Sequence, residues 1–323
     1  MTGGGAVTGK RVLAIVGPTA VGKTALSIAL AQALGGEIVS ADSRQIYRGM
    51  DIGTAKATPA EQAAVRHHLI DVVAPDEVLS LARYRDLARA AIAEIRGRGR
   101  LPIIVGGTGL YVRALVEGWT IPEVPPDEAL RARLYARAEA EGGAVLHAEL
   151  AQVDPSAAAG IDARNVRRVI RALEVYAATG RPISALQRKE PPEDDFLQLG
   201  LTLSRQELYA RIDARVEAML ARGLAAEVQC LLEAGYSAGL PAMSGLGYRE
   251  MVAHLRGETT LEEAAARIKH NTRRLVRQQY TWFRLNDAAI CWFDAAHLDV
   301  AAVQAHVCAW LAGRDGPLRE ERP

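Results

Sequence analysis

The sequence predicts an α/β fold: a parallel sheet flanked by helices, interrupted by an all-helical insertion. Three observations predict it. Short β-branched apolar runs alternate with helical patterns early in the chain and return late in it. The first run opens into a glycine-rich loop that leads directly into a helix. Between Trp119 and Asp195 the patterns are helical and proline-rich, with no strand. The expected division is therefore a core of residues 1–118 and 196–323, helical in its C-terminal part, and an insertion of residues 119–195.

Taken in order, Val12 to Val16 is a buried strand, followed by "GPTAVGKT" and by "ALSIALAQALG", which has helical spacing and stops at Gly35 and Gly36. Glu37 to Ser40 is a second strand. "SLARYRDLARAAIAEIRGRG" is an amphipathic helix with Leu81, Tyr84, Leu87, Ala88, Ala91, Ile92 and Ile95 on one face. Leu101 to Val105 is a third strand, and "GGTGLYVRALVEG" turns from it into a helix. Strands alternating with helices give a parallel sheet covered on both faces. In the insertion, "TIPEVPP" precedes a string of helices and turns, and "RNVRRVIRALEVYAATG" closes at Gly180 with Pro182 beyond. "RKEPPEDD" is a polar linker. "FLQLGLTL" resumes the sheet, long helices follow, and "AAICWFD" is a last strand before a closing helix.

The 323 residues include 49% apolar ones, enough for a proper core. With 39 Lys and Arg against 38 Asp and Glu, net charge alone points to neither nucleic acid nor membrane. Cys230, Cys291 and Cys308 are scattered, which argues against a disulfide framework and a structural zinc site. No leader pattern and no run of ~18 apolar residues is present, so a cytoplasmic protein with no membrane partner is expected. The stretches "MTGGGAVTG" and "GRDGPLREERP" read as frayed ends.

Gly17, Pro18, Thr19, Ala20, Val21, Gly22, Lys23 and Thr24 satisfy G-x-x-x-x-G-K-[ST] between a strand and a helix, which makes the sheet a P-loop NTPase-like core. The glycines let backbone N–H groups turn inward around an anion, and the helix N-terminus adds partial positive charge. Lys23 would reach a terminal phosphate and Thr24 would ligate Mg²⁺. The motif establishes binding of a di- or triphosphate, not which one is bound or what is transferred.

Asp42 follows the second strand, in the crevice where such sheets bind ligands. It has three readings that local chemistry leaves open: a Mg²⁺ ligand, a general base, or a turn former in "ADSR". His67 and His68 are adjacent rather than at metal-ligand spacing, so no metal is expected there. Basic residues cluster although the total is balanced. Arg164, Arg168 and Arg171 share one helix face with Arg167 alongside; from Arg267 to Arg284 there are six Lys or Arg and no acid, with Lys269, Arg273 and Arg277 stepping by four. These stripes read either as solvated helix faces or as phosphate contacts to a folded RNA. Trp282 and Phe283 read as core residues.

"GPTAVGKT", "SADSRQIYRGMDIGTAK", "HHLIDVVAPDE", "GGTGLYVRALVEG", "RNVRRVIRALEVYAATGRPIS", "GLGYRE" and "RQQYTWFR" together resemble, in this order, the tRNA dimethylallyltransferases of bacterial type, from about Val12 to Arg284. The resemblance implies a monomeric enzyme of tRNA modification. It would transfer a dimethylallyl group from dimethylallyl diphosphate to the N6 amine of the adenosine 3′ of the anticodon. Diphosphate would leave, with Mg²⁺ as cofactor, and the phosphate loop would hold the prenyl diphosphate rather than ATP. The resemblance makes Asp42 the general base, places Thr108 near the reaction centre, and makes Arg215 the arginine that grips the diphosphate, with Arg211 one turn away as the alternative. The anticodon stem-loop would meet Asp42, Ser43, Arg44 and Gln45; Arg131, Arg164, Arg167 and Arg168 of the insertion; Gly245, Gly247, Tyr248 and Arg249; and Arg273, Arg277 and Gln279.

Two departures stand out: Gln278 sits where the family usually has arginine, and the sequence contains no C-x-x-C of the kind found in the zinc finger usual in eukaryotic members, so a bacterial type is expected. Three rivals remain at the level of sequence. An ATP-dependent small-molecule kinase would use the same loop. An adenylate isopentenyltransferase would use free adenine nucleotides, against which the arginine stripes argue. A non-catalytic RNA-binding module would leave the complete phosphate loop unexplained.

Overall fold

The computed structural model describes residues 10–314. The stretch read as a frayed N-terminus lies outside them, as does the part beyond Arg314 of the C-terminal stretch read in the same way. By its contacts the chain divides into one unit of Met1–Val116 with Glu193–Pro323 and a second of Glu117–Pro192.

In the first unit the order is β1 (Arg11–Val16), α1 (Lys23–Leu34), β2 (Gly36–Ser40), α2 (Pro59–Ala64), β3 (His67–His68), α3 (Leu81–Gly97), β4 (Leu101–Gly106) and α4 (Gly109–Val116). The second unit holds α5 (Glu128–Glu141), α6 (Gly143–Val153), α7 (Pro155–Gly160), α8 (Val166–Thr179) and α9 (Ile183–Leu186). The first unit resumes with β5 (Asp195–Thr202), α10 (Arg205–Ala221), α11 (Leu224–Glu233), α12 (Tyr248–Leu255), α13 (Leu261–Trp282), β6 (Ile290–Asp294) and α14 (Val300–Leu311).

Among the described residues the strands form one six-stranded sheet in the order β3-β2-β4-β1-β5-β6, with every pairing parallel. The strand β3 went unread in the sequence because two residues carry no periodicity. On one face, Leu13, Ile15 and Ile103 pack with Leu26 and Leu30 of α1 and with Val303 and Val307 of α14. On the other, Val12, Ala14 and Ile104 pack with Tyr84, Ile92 and Ile95 of α3 and Tyr111 of α4. The connections leaving adjacent strands β1 and β4 thus run to opposite faces. This opens a crevice at their carboxyl ends, the usual ligand site of such sheets.

The amphipathic face read for α3 is the face that is buried, with Ser80 accepting from Arg83 N as its cap. Tyr84 stacks on Tyr111 at 3.7 Å and donates to Ser40 O, which anchors α3 and α4 beneath the end of β2.

The second unit has a small core of its own, with Leu146, Leu150 and Val169 fully buried. Glu174 is buried within it and accepts from Asp127 N, Arg131 and Arg171. Burial works to raise the Glu174 pKa, but the hydrogen bonds from the two arginines outweigh it, and the carboxylate is held below its ordinary value.

Candidate active site

The phosphate loop takes its shape from three positive φ angles, at Gly17 (135°), Ala20 (65°) and Gly22 (107°). A Cβ on Gly17 would run into the carbonyl oxygen of Leu201 on β5, so the loop leaves β1 tight against its neighbour. Ala20 holds a conformation that favours glycine, strain of the kind that collects at functional sites. Gly22 caps α1 with no side-chain hydrogen bond. The first N–H groups of the helix are therefore left for an anion.

Lys23 Nζ folds back over its own loop and donates to Gly17 O at 3.0 Å and Pro18 O at 2.6 Å. Its pKa is pushed down to about 7, first by burial and then by repulsion from Arg215, with the Asp42 carboxylate working the other way. Arg215 itself forms no hydrogen bond or ion pair among the described residues. Burial lowers its pKa and Asp42 opposes that shift. Two cations held together with so few acceptors make a site that an anion would relieve.

Asp42 leaves the end of β2, where Ala41 N donates to Val105 O of β4. Its Oδ1 accepts from Arg44 N at 2.8 Å, an Asx-turn. The turn role read in "ADSR" is thus real, and it fixes the carboxylate without engaging Oδ2. Thr108 is bound to the same turn: its Oγ1 accepts from Ser43 N at 3.0 Å and its N–H donates to Ala41 O at 3.2 Å.

Two cavities open around these groups. The larger, about 520 Å³, runs from the Asp42 turn to the facing sides of α10 and α13. The smaller, about 360 Å³, lies over the phosphate loop and includes Lys23, Thr24 and Arg211. They share Thr19, Asp42, Thr54, Gly107 and Arg215. Asp42 and Arg215 therefore stand where an anion-binding pocket opens into a larger one. Arg211 lines only the smaller and lies 3.4 Å from Val21 O.

The larger cavity is held open by side chains far apart in sequence. Glu227 on α11 accepts from the N–H groups of Asp51, Ile52 and Gly53 and from Tyr248 Oη. Tyr248 is thereby buried, with its ring against Gly53. Burial and the Glu227 carboxylate raise its pKa. Gly245 and Gly247 form the short connection into α12 and also line the cavity. Glu250 accepts from Gly247 N, Arg249 and Asn271, which joins that connection to α13. Arg44 donates to Pro241 O, and the Gln45 amide accepts from Ser40 Oγ and donates to Ala55 O.

The α13 stripe sits differently from its sequence reading. Lys269 pairs with Glu217 and Arg273 with both oxygens of Asp213, the latter at 2.8 and 2.6 Å. Arg273 also lies over the Tyr209 ring, and Arg277 lies 3.4 Å from Tyr209 Oη. That row faces α10. The cavity is lined instead by Asn271, Arg274, Gln278 and Trp282. Trp282, read as core, is 38% exposed and packs on Gly109, whereas Phe283 is buried as expected. Gln279 is buried, with its amide between Thr19 N and Gly107 O.

In the second unit, Arg167 and Arg168 are exposed on α8. Arg164 is bound to Asp162, and Arg131 and Arg171 are tied to Glu174. Elsewhere, His68 Nε2 meets the Glu37 carboxylate at 2.8 Å. No helix of the described residues is long and apolar enough to cross a membrane. Glu227 and Arg274 were missed in the sequence: the first looks like any surface glutamate, and the second differs from Arg273 only in the way it points.

A protein-family model described as IPP transferase matches residues 45–286. The tRNA dimethylallyltransferase of Roseiflexus sp. (strain RS-1) is 60% identical over 273 residues, which cover 84% of this chain and 90% of that protein. That of Herpetosiphon aurantiacus is 56% identical over 291 residues, 90% of this chain and 92% of the other. Among solved structures, the tRNA isopentenylpyrophosphate transferase of Bacillus halodurans superposes with a TM-score of 0.70 at 43% identity, covering 94% of this chain and 98% of that one. A eukaryotic dimethylallyltransferase acting on tRNA gives a TM-score of 0.78 at 28% identity, covering 97% and 81%.

Proposed function

This chain belongs to the tRNA dimethylallyltransferase family, and from that premise we propose how its joined cavities work. The enzyme transfers a dimethylallyl group to the N6 amine of an adenosine in tRNA. The donor, dimethylallyl diphosphate, lies in the smaller cavity with its diphosphate on residues 17–24. The acceptor, the adenosine 3′ of the anticodon, is splayed out of its loop into the larger one. The observation that carries this reading is that Asp42 and Arg215 line both cavities at their junction.

An adenine amine is a weak nucleophile because its lone pair is delocalised into the ring. As N6 attacks the first carbon of the donor, that carbon's bond to the diphosphate oxygen breaks and Asp42 takes a proton from the amine. The Asx-turn leaves Oδ2 for this task. Charge growing on the departing diphosphate is met by Arg215, by Lys23 swung off the Gly17 and Pro18 carbonyls, and by the loop N–H groups. Thr108 holds the Asp42 turn in place from the neighbouring strand.

The Thr24 hydroxyl lines the donor cavity and forms no hydrogen bond among the described residues, and no acidic or histidine cluster competes for a metal there. That suits Mg²⁺, which commonly takes one or two protein ligands and completes its shell with water and substrate phosphate oxygens. When bound, Mg²⁺ would neutralise charge on the leaving diphosphate. The anticodon stem-loop rests on Ser43, Arg44, Gly245, Gly247 and Arg249 at the cavity, and Arg167 and Arg168 of the second unit contact phosphates.

The test is diphosphate release from purified protein given dimethylallyl diphosphate, ATP and tRNA in turn. Release that requires both the prenyl donor and tRNA is expected. ATP hydrolysis independent of tRNA would overturn the reading in favour of a kinase.

A further inference from the structure

We propose that Gln279 is a positioning residue that locks the donor loop to the loop carrying Thr108, rather than an RNA contact. The inference rests on the prenyl-transfer reading for its kinetic consequence but not for its geometry.

Gln279 lies on α13, 7% exposed, in the inner wall of the larger cavity. Its Oε1 accepts from Thr19 N at 2.9 Å, and its Nε2 donates to Gly107 O at 3.0 Å. Both partners are backbone groups, so the amide orientation is forced: the reverse would set NH₂ against N–H and oxygen against oxygen. Thr19 belongs to the phosphate loop after β1, and Gly107 precedes Thr108 after β4. One side chain from a distant helix therefore spans the mouth of the crevice and joins the loops between which the diphosphate and the reacting carbon must sit.

Few other residues would do this. Glutamate has no donor for Gly107 O, asparagine is one methylene short, and lysine has no acceptor for Thr19 N. The fit is close on the other side too, because a Cβ on Gly107 would collide with Gln279 Nε2. Because the Thr19 N–H is engaged by Gln279, the anion cradle is left to the N–H groups that follow it. Gln278 and Arg274 line the same cavity but hold neither loop, whereas both ends of the Gln279 amide are taken up by Thr19 N and Gly107 O. Proximity catalysis is sensitive to misplacement of this kind, and ~1 Å can cost about a hundredfold in rate.

The experiment compares Gln279→Met, which keeps length and loses both hydrogen bonds, with Gly107→Ala, which disturbs only the Gly107 side. Three readouts are taken: inorganic pyrophosphate affinity by calorimetry with Mg²⁺ and no RNA, tRNA affinity, and kcat for prenyl transfer. Both variants are expected to bind pyrophosphate several-fold more weakly and to lose about tenfold or more in kcat, with tRNA affinity within about twofold of the parent. Weakened tRNA binding with pyrophosphate affinity and kcat intact would overturn the proposal and make Gln279 an RNA contact. If one variant fails to fold, the other carries the test. The pyrophosphate titration still reads the proposal should the parent protein transfer no prenyl group, an outcome that would sink the function and not this role.

Discussion

The proposed donor cradle is one continuous stretch, Gly17 to Thr24, built mainly of backbone, whereas the larger cavity is assembled from side chains as far apart as Asp42 and Trp282. The cradle needs glycines at positive φ, one lysine and a helix end. The larger cavity needs Glu227 to hold the 51–53 turn, Glu250 to hold α12 against α13, and the correct faces of two helices turned inward. A site of the first kind breaks at few positions. One of the second kind breaks at many, including residues that never touch a substrate.

The sharpest way to break this contrast is at the junction. Asp42→Asn keeps an oxygen for the Asx-turn from Arg44 N and removes the base. Turnover is expected to fall about a hundredfold or more with tRNA affinity nearly unchanged, read by single-turnover kinetics and RNA binding. Unaltered turnover would take Asp42 out of the chemistry.

Next in size is Glu227→Ala, which strips acceptors from three backbone N–H groups and from Tyr248 Oη at once. Stability should drop by about 2 kcal/mol in denaturant unfolding. The KM for tRNA should rise about tenfold while pyrophosphate affinity holds. Equal damage to pyrophosphate binding would show that the two sides are not separately built.

The donor side has its own signature in pH. The Lys23 pKa, about 7 in the free protein, lies below its ordinary value, so above pH 7 the empty cradle holds a largely neutral amine. A bound diphosphate adds opposite charge and raises that pKa again. Binding must then take up a proton above about pH 7, and affinity falls by at most about tenfold per pH unit as pH rises. Below pH 7 Lys23 is already protonated and this dependence disappears. Calorimetry of pyrophosphate binding at pH 8 in two buffers of different ionisation enthalpy measures the uptake, and a null result would contradict it.

The smallest effects separate two adjacent arginines. Arg274→Ala, on the cavity face, should weaken tRNA binding a few-fold and reduce its salt slope by about one. Arg273→Ala breaks the Asp213 pair, should cost about 0.5 kcal/mol of stability, and should leave the salt slope as it was. The reverse pattern would return Arg273 to the RNA.

The same contrast explains how much was legible from residues alone. The phosphate loop was readable because its eight positions are contiguous and each has a backbone reason. The sheet was readable from its buried runs, all but β3. Asp42 was legible from its place after the second strand, but its role as base, and Thr108, were reached through the resemblance; their mutual tether through Ser43 N appeared only when the ends of β2 and β4 were side by side. Gln279 carried an amide that reads equally well as an RNA contact or a bracket between loops.

By itself, then, the sequence determined the phosphate-loop motif, the parallel sheet beneath it and the family, because each depends on neighbours within a few residues or on motifs in series. Only the tertiary structure decided which side chains of α13 meet the cavity and which meet Asp213 or Thr19. Residues next to each other on a helix point about 100° apart, and which direction counts as inward is set by the packing of α10, α12 and the ends of the strands.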